Sequence, residues 1–93
     1  MDRLDIVVTK QYKKDYVKIR KQGNDITKLE KVIDKLANRE ILDISYKDHT
    51  LHGKYEGLRE CHIEPDWLLI YKIKNNTLEL ILTRTGSHAN LFR

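Results

Sequence analysis

The chain predicts an α+β fold in which two helices lie on one face of a twisted, mostly antiparallel sheet. Three observations carry this: an apolar, β-branched run near the start, two stretches of helical periodicity before residue 40, and three stretches of strand periodicity after residue 57. Leu4 to Val8 suits an opening strand. Thr9 then caps a helix in which Tyr12, Tyr16 and Ile19 recur at helical spacing, and Gly23 ends it in the left-handed conformation glycine tolerates best. The capping-box pattern Thr27-Lys28-Leu29-Glu30 signals a second helix, with Leu29, Val32, Ile33 and Leu36 on one apolar stripe.

From Arg39 to Gly57 the period is lost, which predicts a long loop with one turn of structure around Ile41 to Ile44. Leu58 to Glu64 reads as a strand with Arg59, Cys61 and Ile63 on one face and Leu58, Glu60 and His62 on the other. Pro65 cannot donate to a ladder, so Glu64-Pro65-Asp66 is a turn, and Trp67 to Ile73, apolar on both faces, returns as a central strand. Asn75-Asn76 suits a two-residue hairpin turn before a last strand in which Leu78, Leu80 and Leu82 alternate with Glu79, Ile81 and Thr83. Gly86 ends that strand, and a short tail carries His88 and Phe92. The predicted order is an N-terminal strand, a two-helix hairpin and a three-stranded antiparallel meander.

With 93 residues, residues 1–93 are expected to form one domain with a single modest core. The net charge of +4 comes mostly from lysines of the first forty residues, which favours a polyanionic partner. On charge alone, solvated faces of the two helices are the commoner reading, so charge supports a polyanionic partner without deciding it. Cys61 stands alone, so no intramolecular disulfide forms and a reducing compartment is the simplest setting. The start, Met1-Asp2-Arg3-Leu4-Asp5, lacks a basic stretch followed by an apolar core, and the longest apolar run, Trp67 to Tyr71, is too short to span a bilayer. A soluble, cytoplasmic protein without a membrane role is the expectation.

All four histidines, His49, His52, His62 and His88, fall in the C-terminal half. Imidazole titrates near neutrality, so several of them beside an arginine and a carboxylate suit acid/base chemistry on an anionic substrate. If the helix hairpin covers one sheet face, His62, the loop bearing His49, the turn bearing Asp66 and the tail bearing His88 meet on the other. Arg84 shares the register of Leu82 and points inward unless the chain bends there. A metal site is a rival, since His49 and His52 are three apart and His62 and Asp66 four apart. Neither pair lies on a predicted helix and one cysteine makes no zinc cage, so metal-free chemistry without a cofactor is preferred.

Metal-free RNA cleavage needs a base for the 2′-hydroxyl, an acid for the leaving 5′-oxygen and a cation for the phosphate. His49, His62 and His88 are candidate bases and acids, Arg84 the cation, and Asp66 a carboxylate that orients an imidazole. Trp67 and Phe92 are candidates to stack on an unstacked base, though core packing is the competing role for each. His52 is set aside as a surface residue.

Three motifs then stand in order: Tyr46-Lys47-Asp48-His49 with Leu51 and Gly53; Arg59 with His62-Ile63-Glu64-Pro65-Asp66-Trp67-Leu68-Leu69-Ile70-Tyr71; and Arg84-Thr85-Gly86-Ser87-His88 with Leu91-Phe92. Together they resemble the YafQ-type branch of the RelE/ParE toxin superfamily, from about Tyr46 to the C-terminus. The N-terminal half resembles it only in its strand, helix, helix pattern. The resemblance implies a RelE-like fold and a toxin of a type II toxin-antitoxin pair, a ribosome-dependent endoribonuclease that cuts mRNA in the A site. It also implies His49, His62, Asp66 and His88 as the acid/base group, Arg84 as phosphate clamp, and Trp67 and Phe92 as RNA contacts. The implied partners are a cognate antitoxin protein, the ribosome with its RNA, mRNA, and operator DNA only through the antitoxin complex. The alternative within the same fold is a non-cleaving, ParE-like gyrase inhibitor, which needs no dense histidine set.

Overall fold

The computed structural model describes residues 3–92. Its sheet has five strands in the order β1-β5-β4-β3-β2: β1 Asp5–Val8, β2 His49–Thr50, β3 Arg59–Glu64, β4 Trp67–Lys74 and β5 Glu79–Gly86. β1 pairs with β5 in parallel and every other pairing is antiparallel. The helix hairpin, α1 Lys10–Lys21 and α2 Ile26–Ala37, carries the chain across one face from the β1 edge towards the β2 edge, and the antiparallel strands return from there to β5, which meets β1 in parallel.

Thr9 caps α1 by accepting the Tyr12 amide at 3.0 Å, and Gly23 takes φ 83° beyond the helix end. The second helix starts earlier than its capping-box pattern suggests. Asp25 is the cap, accepting the Thr27 amide at 3.1 Å and the Thr27 hydroxyl at 2.6 Å. The Asp25 carboxylate, two residues upstream, thus caps an earlier donor, the Thr27 amide, and engages the Thr27 hydroxyl that was expected to serve as the cap itself.

Tyr12, Asp15 and Ile19 form the buried side of α1, and Leu29, Val32, Leu36 and Ala37 that of α2. They cover Cys61, Trp67, Leu69, Tyr71, Leu80 and Leu82. The opposite sheet face is not bare. Leu68 and Ile70 are fully buried there with Leu91, against Leu51, Tyr55 and Leu58. Material the sequence left as loop and tail provides this second, smaller core. The 39–57 segment contains 3-10 turns at Ile44–Tyr46 and Gly53–Tyr55 and the short strand β2, and the tail folds as α3, His88–Leu91, capped by the Ser87 hydroxyl.

Two irregularities set side-chain direction. Between His62 and Glu64 the β3–β4 register shifts, so His62 faces Leu68 on the second face while Glu64 faces Trp67 on the helix side. On β5, Leu82 lies opposite Tyr71 and Arg84 opposite Ile70, leaving Thr83 as the extra residue of a bulge. The bulge reverses strand parity, and Arg84 leaves the inward register it would share with Leu82. The β4–β5 connection also differs from a two-residue turn: strand pairing ends at Lys74 and Glu79, four residues intervene, and Leu78 takes φ 54°. Leu78 therefore falls outside the strand whose apolar side Leu80 and Leu82 continue.

Candidate active site

β2 and β3 bring His49 opposite Glu60, and Glu60 and His62 share one face of β3. Glu60 is buried, 4% exposed. Its Oε1 lies 3.5 Å from His49 Nε2 and 3.3 Å from His62 Nε2. The other nitrogen of each ring meets a main-chain carbonyl, His49 Nδ1 at 2.6 Å from Lys47 O and His62 Nδ1 at 3.3 Å from Pro65 O. A neutral imidazole has one N–H, so only the imidazolium donates on both sides, and the neutral ring must leave one of these acceptors. Each ring thus stands between the buried Glu60 carboxylate and a main-chain carbonyl.

His88 enters from α3. Asp66 in the β3–β4 turn accepts both the His88 amide at 2.9 Å and, at 2.7 Å, its ring Nδ1. These two bonds, the backbone one first, hold the Asp66 carboxyl below the usual carboxylate range. With Nδ1 committed, the Nε2 side of His88 is left for chemistry, the arrangement by which a carboxylate fixes a catalytic histidine's tautomer. The His62 and His88 ring centroids are 5.7 Å apart and those of His49 and His62 6.4 Å. His49, His62, Asp66 and His88, scattered over forty residues, thus form one surface group; His52 stands outside it, at the start of the second 3-10 turn.

The row of rings continues. Phe92, 43% exposed, lies 6.2 Å from His88 and meets Tyr55 edge-on at 5.4 Å. Tyr55 donates to Leu91 O at 3.0 Å, pinning α3, and Lys54 sits 5.5 Å over its ring. Arg84 is bound through Nε and Nη2 to Asp15 on α1 at 2.8 and 3.2 Å. That bond, with a smaller contribution from Tyr55, raises its pKa further. Arg84 lines a cleft of about 250 Å³ with Gln11, Lys14, Lys18, Thr85 and Asn90.

Trp67 requires a correction. It is 3% exposed within the helix-side core, its Nε1 donating to Thr85 Oγ1 at 3.0 Å, so its ring has no free face for a base. The strand-start position put it next to the site in sequence, while strand parity turns it to the other side of the sheet. Two residues that sequence reasoning passed over belong to the site. Glu60 shares the His62 face by simple alternation, a signal present in the sequence. Tyr55 arrives through a 3-10 turn inside the long loop, where no period marks it.

Cys61 faces the helix-side core, and burial pushes its thiol up to about 12, which excludes it as a nucleophile at neutral pH. Glu60, His62 and His88 each offer one ligand atom, all within 4.8 Å of one another, a set suited to a transition metal. The spacings that raise a metal as a rival in the sequence, His49 with His52 and His62 with Asp66, are not the set the fold assembles.

A family described as "Bacterial toxin of type II toxin-antitoxin system, YafQ" matches residues 4–93. The mRNA interferase toxin YafQ of Escherichia coli K12 is 42% identical over 93 residues, covering 99% of both chains. The solved E. coli DinJ–YafQ toxin-antitoxin complex aligns at TM-score 0.88 and 41% identity, over 98% of this chain and 99% of that one. A metal-bound toxin from Helicobacter pylori aligns at TM-score 0.90 and 44% identity, over 96% and 99%. On sequence over its whole length and on fold, the chain belongs to the YafQ family of bacterial type II toxin-antitoxin toxins.

Proposed function

We propose that this chain is an mRNA interferase, a ribosome-dependent endoribonuclease that cuts the A-site codon by attack of a 2′-hydroxyl on the adjacent phosphate. The single observation that carries the reading is the convergence of His49, His62 and His88 on one face with two carboxylates of different setting, buried Glu60 and exposed Asp66. In this reading His88, held by Asp66, protonates the leaving 5′-oxygen through Nε2. The base is drawn from the Glu60, His62 and His49 group on the other side of the phosphate, and the imidazolium formed there remains beside Glu60. Phe92 and Tyr55 receive an unstacked base, and Arg84 binds a phosphate.

The acid/base set is complete without a metal, so the proposed reaction needs none. Cleavage is expected to persist in EDTA, and its loss there with recovery on adding a divalent ion would transfer the chemistry to the Glu60, His62 and His88 donor set. By likeness to the E. coli complex, the partner is an antitoxin protein, and any contact with operator DNA is proposed to run through it. No helix of the described residues is long and apolar enough to cross a membrane.

Primer extension on mRNA from cells expressing the chain, together with cleavage of message on purified programmed ribosomes, tests the proposal. Cuts within translated codons, much weaker on free RNA, are the expected result. Growth arrest without cuts in any frame would favour the gyrase-inhibitor alternative.

A further inference from the structure

Asp15 is the residue of α1 that least resembles its surroundings. It lies three residues after Tyr12 and four before Ile19 on the buried side of the helix, and it is itself 7% exposed. A carboxylate in that position costs free energy unless its oxygens are engaged. They are: Oδ2 accepts Arg84 Nε at 2.8 Å and the Thr85 amide at 3.2 Å, and Oδ1 accepts Arg84 Nη2 and Gln11 Nε2, each at 3.2 Å.

The consequence lies in what remains of the guanidinium. Arg84 has five N–H groups in a planar fork. Asp15 takes Nε–H and one hydrogen of Nη2, so the edge formed by Nη1 and the second Nη2 hydrogen is not engaged by Asp15; the Tyr55 hydroxyl is a further side-chain neighbour of the guanidinium, and a phosphate shares the remaining donors with it. The plane is fixed at one side by a helix and at the other by the Thr83 bulge, which lifts Arg84 out of the Leu82 register. A phosphate meeting that edge forms the paired N–H···O contacts guanidinium is suited to, with Lys14 and Lys18 lining the same cleft.

We propose that Asp15 is a positioning residue for RNA cleavage: it orients the Arg84 fork so that its outer edge grips a phosphate beside the histidine group. The inference rests on the nuclease reading above. Asp15 itself touches no substrate, and its effect passes wholly through Arg84.

A double-mutant cycle read by single-turnover cleavage on programmed ribosomes tests this, using the full chain as wild type, Asp15→Asn, Arg84→Ala and the double variant, with thermal melting of each. The expected result is that Asp15→Asn slows cleavage by about tenfold to a hundredfold in the wild-type background, as a misplaced group does. In the Arg84→Ala background it changes the rate less than about threefold, because the group it positions is gone. Equal rate losses in both backgrounds, or none in the first, overturn the proposal. A wild-type chain that cuts nothing on the ribosome overturns the nuclease reading instead. Should Asp15→Asn fail to fold, NMR of the wild-type chain decides: the Arg84 Nε–H is expected as a separate, slowly exchanging signal at neutral pH, and rapid exchange with water overturns the fixed fork.

Discussion

Among single residues, the groups proposed to react differ from those that hold the fold. His49→Ala, His62→Ala, Asp66→Ala and His88→Ala are each expected to relieve growth arrest while the fold survives. Loss of His88, the proposed acid, is expected to slow cleavage by about 10²- to 10⁴-fold. His52→Ala leaves toxicity intact. Trp67 and Phe92, both stacking candidates in the sequence, part company here. Trp67→Ala opens a cavity in the helix-side core and is expected to cost about 3 to 5 kcal/mol in chemical denaturation. Phe92→Ala barely moves stability and weakens ribosomal cleavage by about the 1 to 3 kcal/mol a stacked base supplies. Asp66 gives a pH test with a definite sign. Its folded pKa is lowered by the His88 amide and ring, so its stabilisation is present above the ordinary aspartate value, about 3.9, and is lost as pH falls through the lowered one. The stability difference between wild type and Asp66→Asn is expected near pH 6 and to vanish in strong acid; a difference independent of pH contradicts the pairing.

Among the elements, those with an uninterrupted period were legible in the sequence. The helix stripes and the alternation of β3 and β4 follow directly from which residues must leave water, and the same alternation faced His62 away from the helices. What escaped were features fixed by contacts distant in sequence. The two-residue β2 is defined by His49 and Thr50 meeting Glu60 and Arg59, and α3 is held by Leu91 over Leu68 and Ile70, by Asp66 at the His88 amide and by Tyr55 at Leu91 O. The Thr83 bulge leaves no mark in composition, yet it decides where Arg84 points. The start of α2 shows a local rule losing to a stronger neighbour, since Asp25 offers a carboxylate where Thr27 offers a hydroxyl. Asp25→Ala is therefore expected to lower the melting temperature more than Thr27→Ala does, and the reverse order would return the cap to Thr27.

For the molecule as a whole, the division of labour between the two sheet faces explains how a short chain supports a reactive surface. The helix side carries most of the apolar core, so the other side needs only Leu68, Ile70 and Leu91 with their neighbours, and the remaining area is free for charged and aromatic groups. Those groups are successive neighbours, His49 to His62, His62 to His88, His88 to Phe92 and Phe92 to Tyr55, with Tyr55 also interacting with Arg84. Successive rings offer more than one stacking position, which the proposed single-stranded substrate would use. The claim on which the rest depends is that this group moves protons to and from a ribose hydroxyl and a phosphate ester. Its most direct test is the cleavage of an A-site codon carrying a single 2′-deoxy sugar at the scissile position, on programmed ribosomes with the wild-type chain. The account predicts an intact message under conditions where the all-ribose codon is cut, because the nucleophile is missing; cleavage of the deoxy codon at a comparable rate would contradict it.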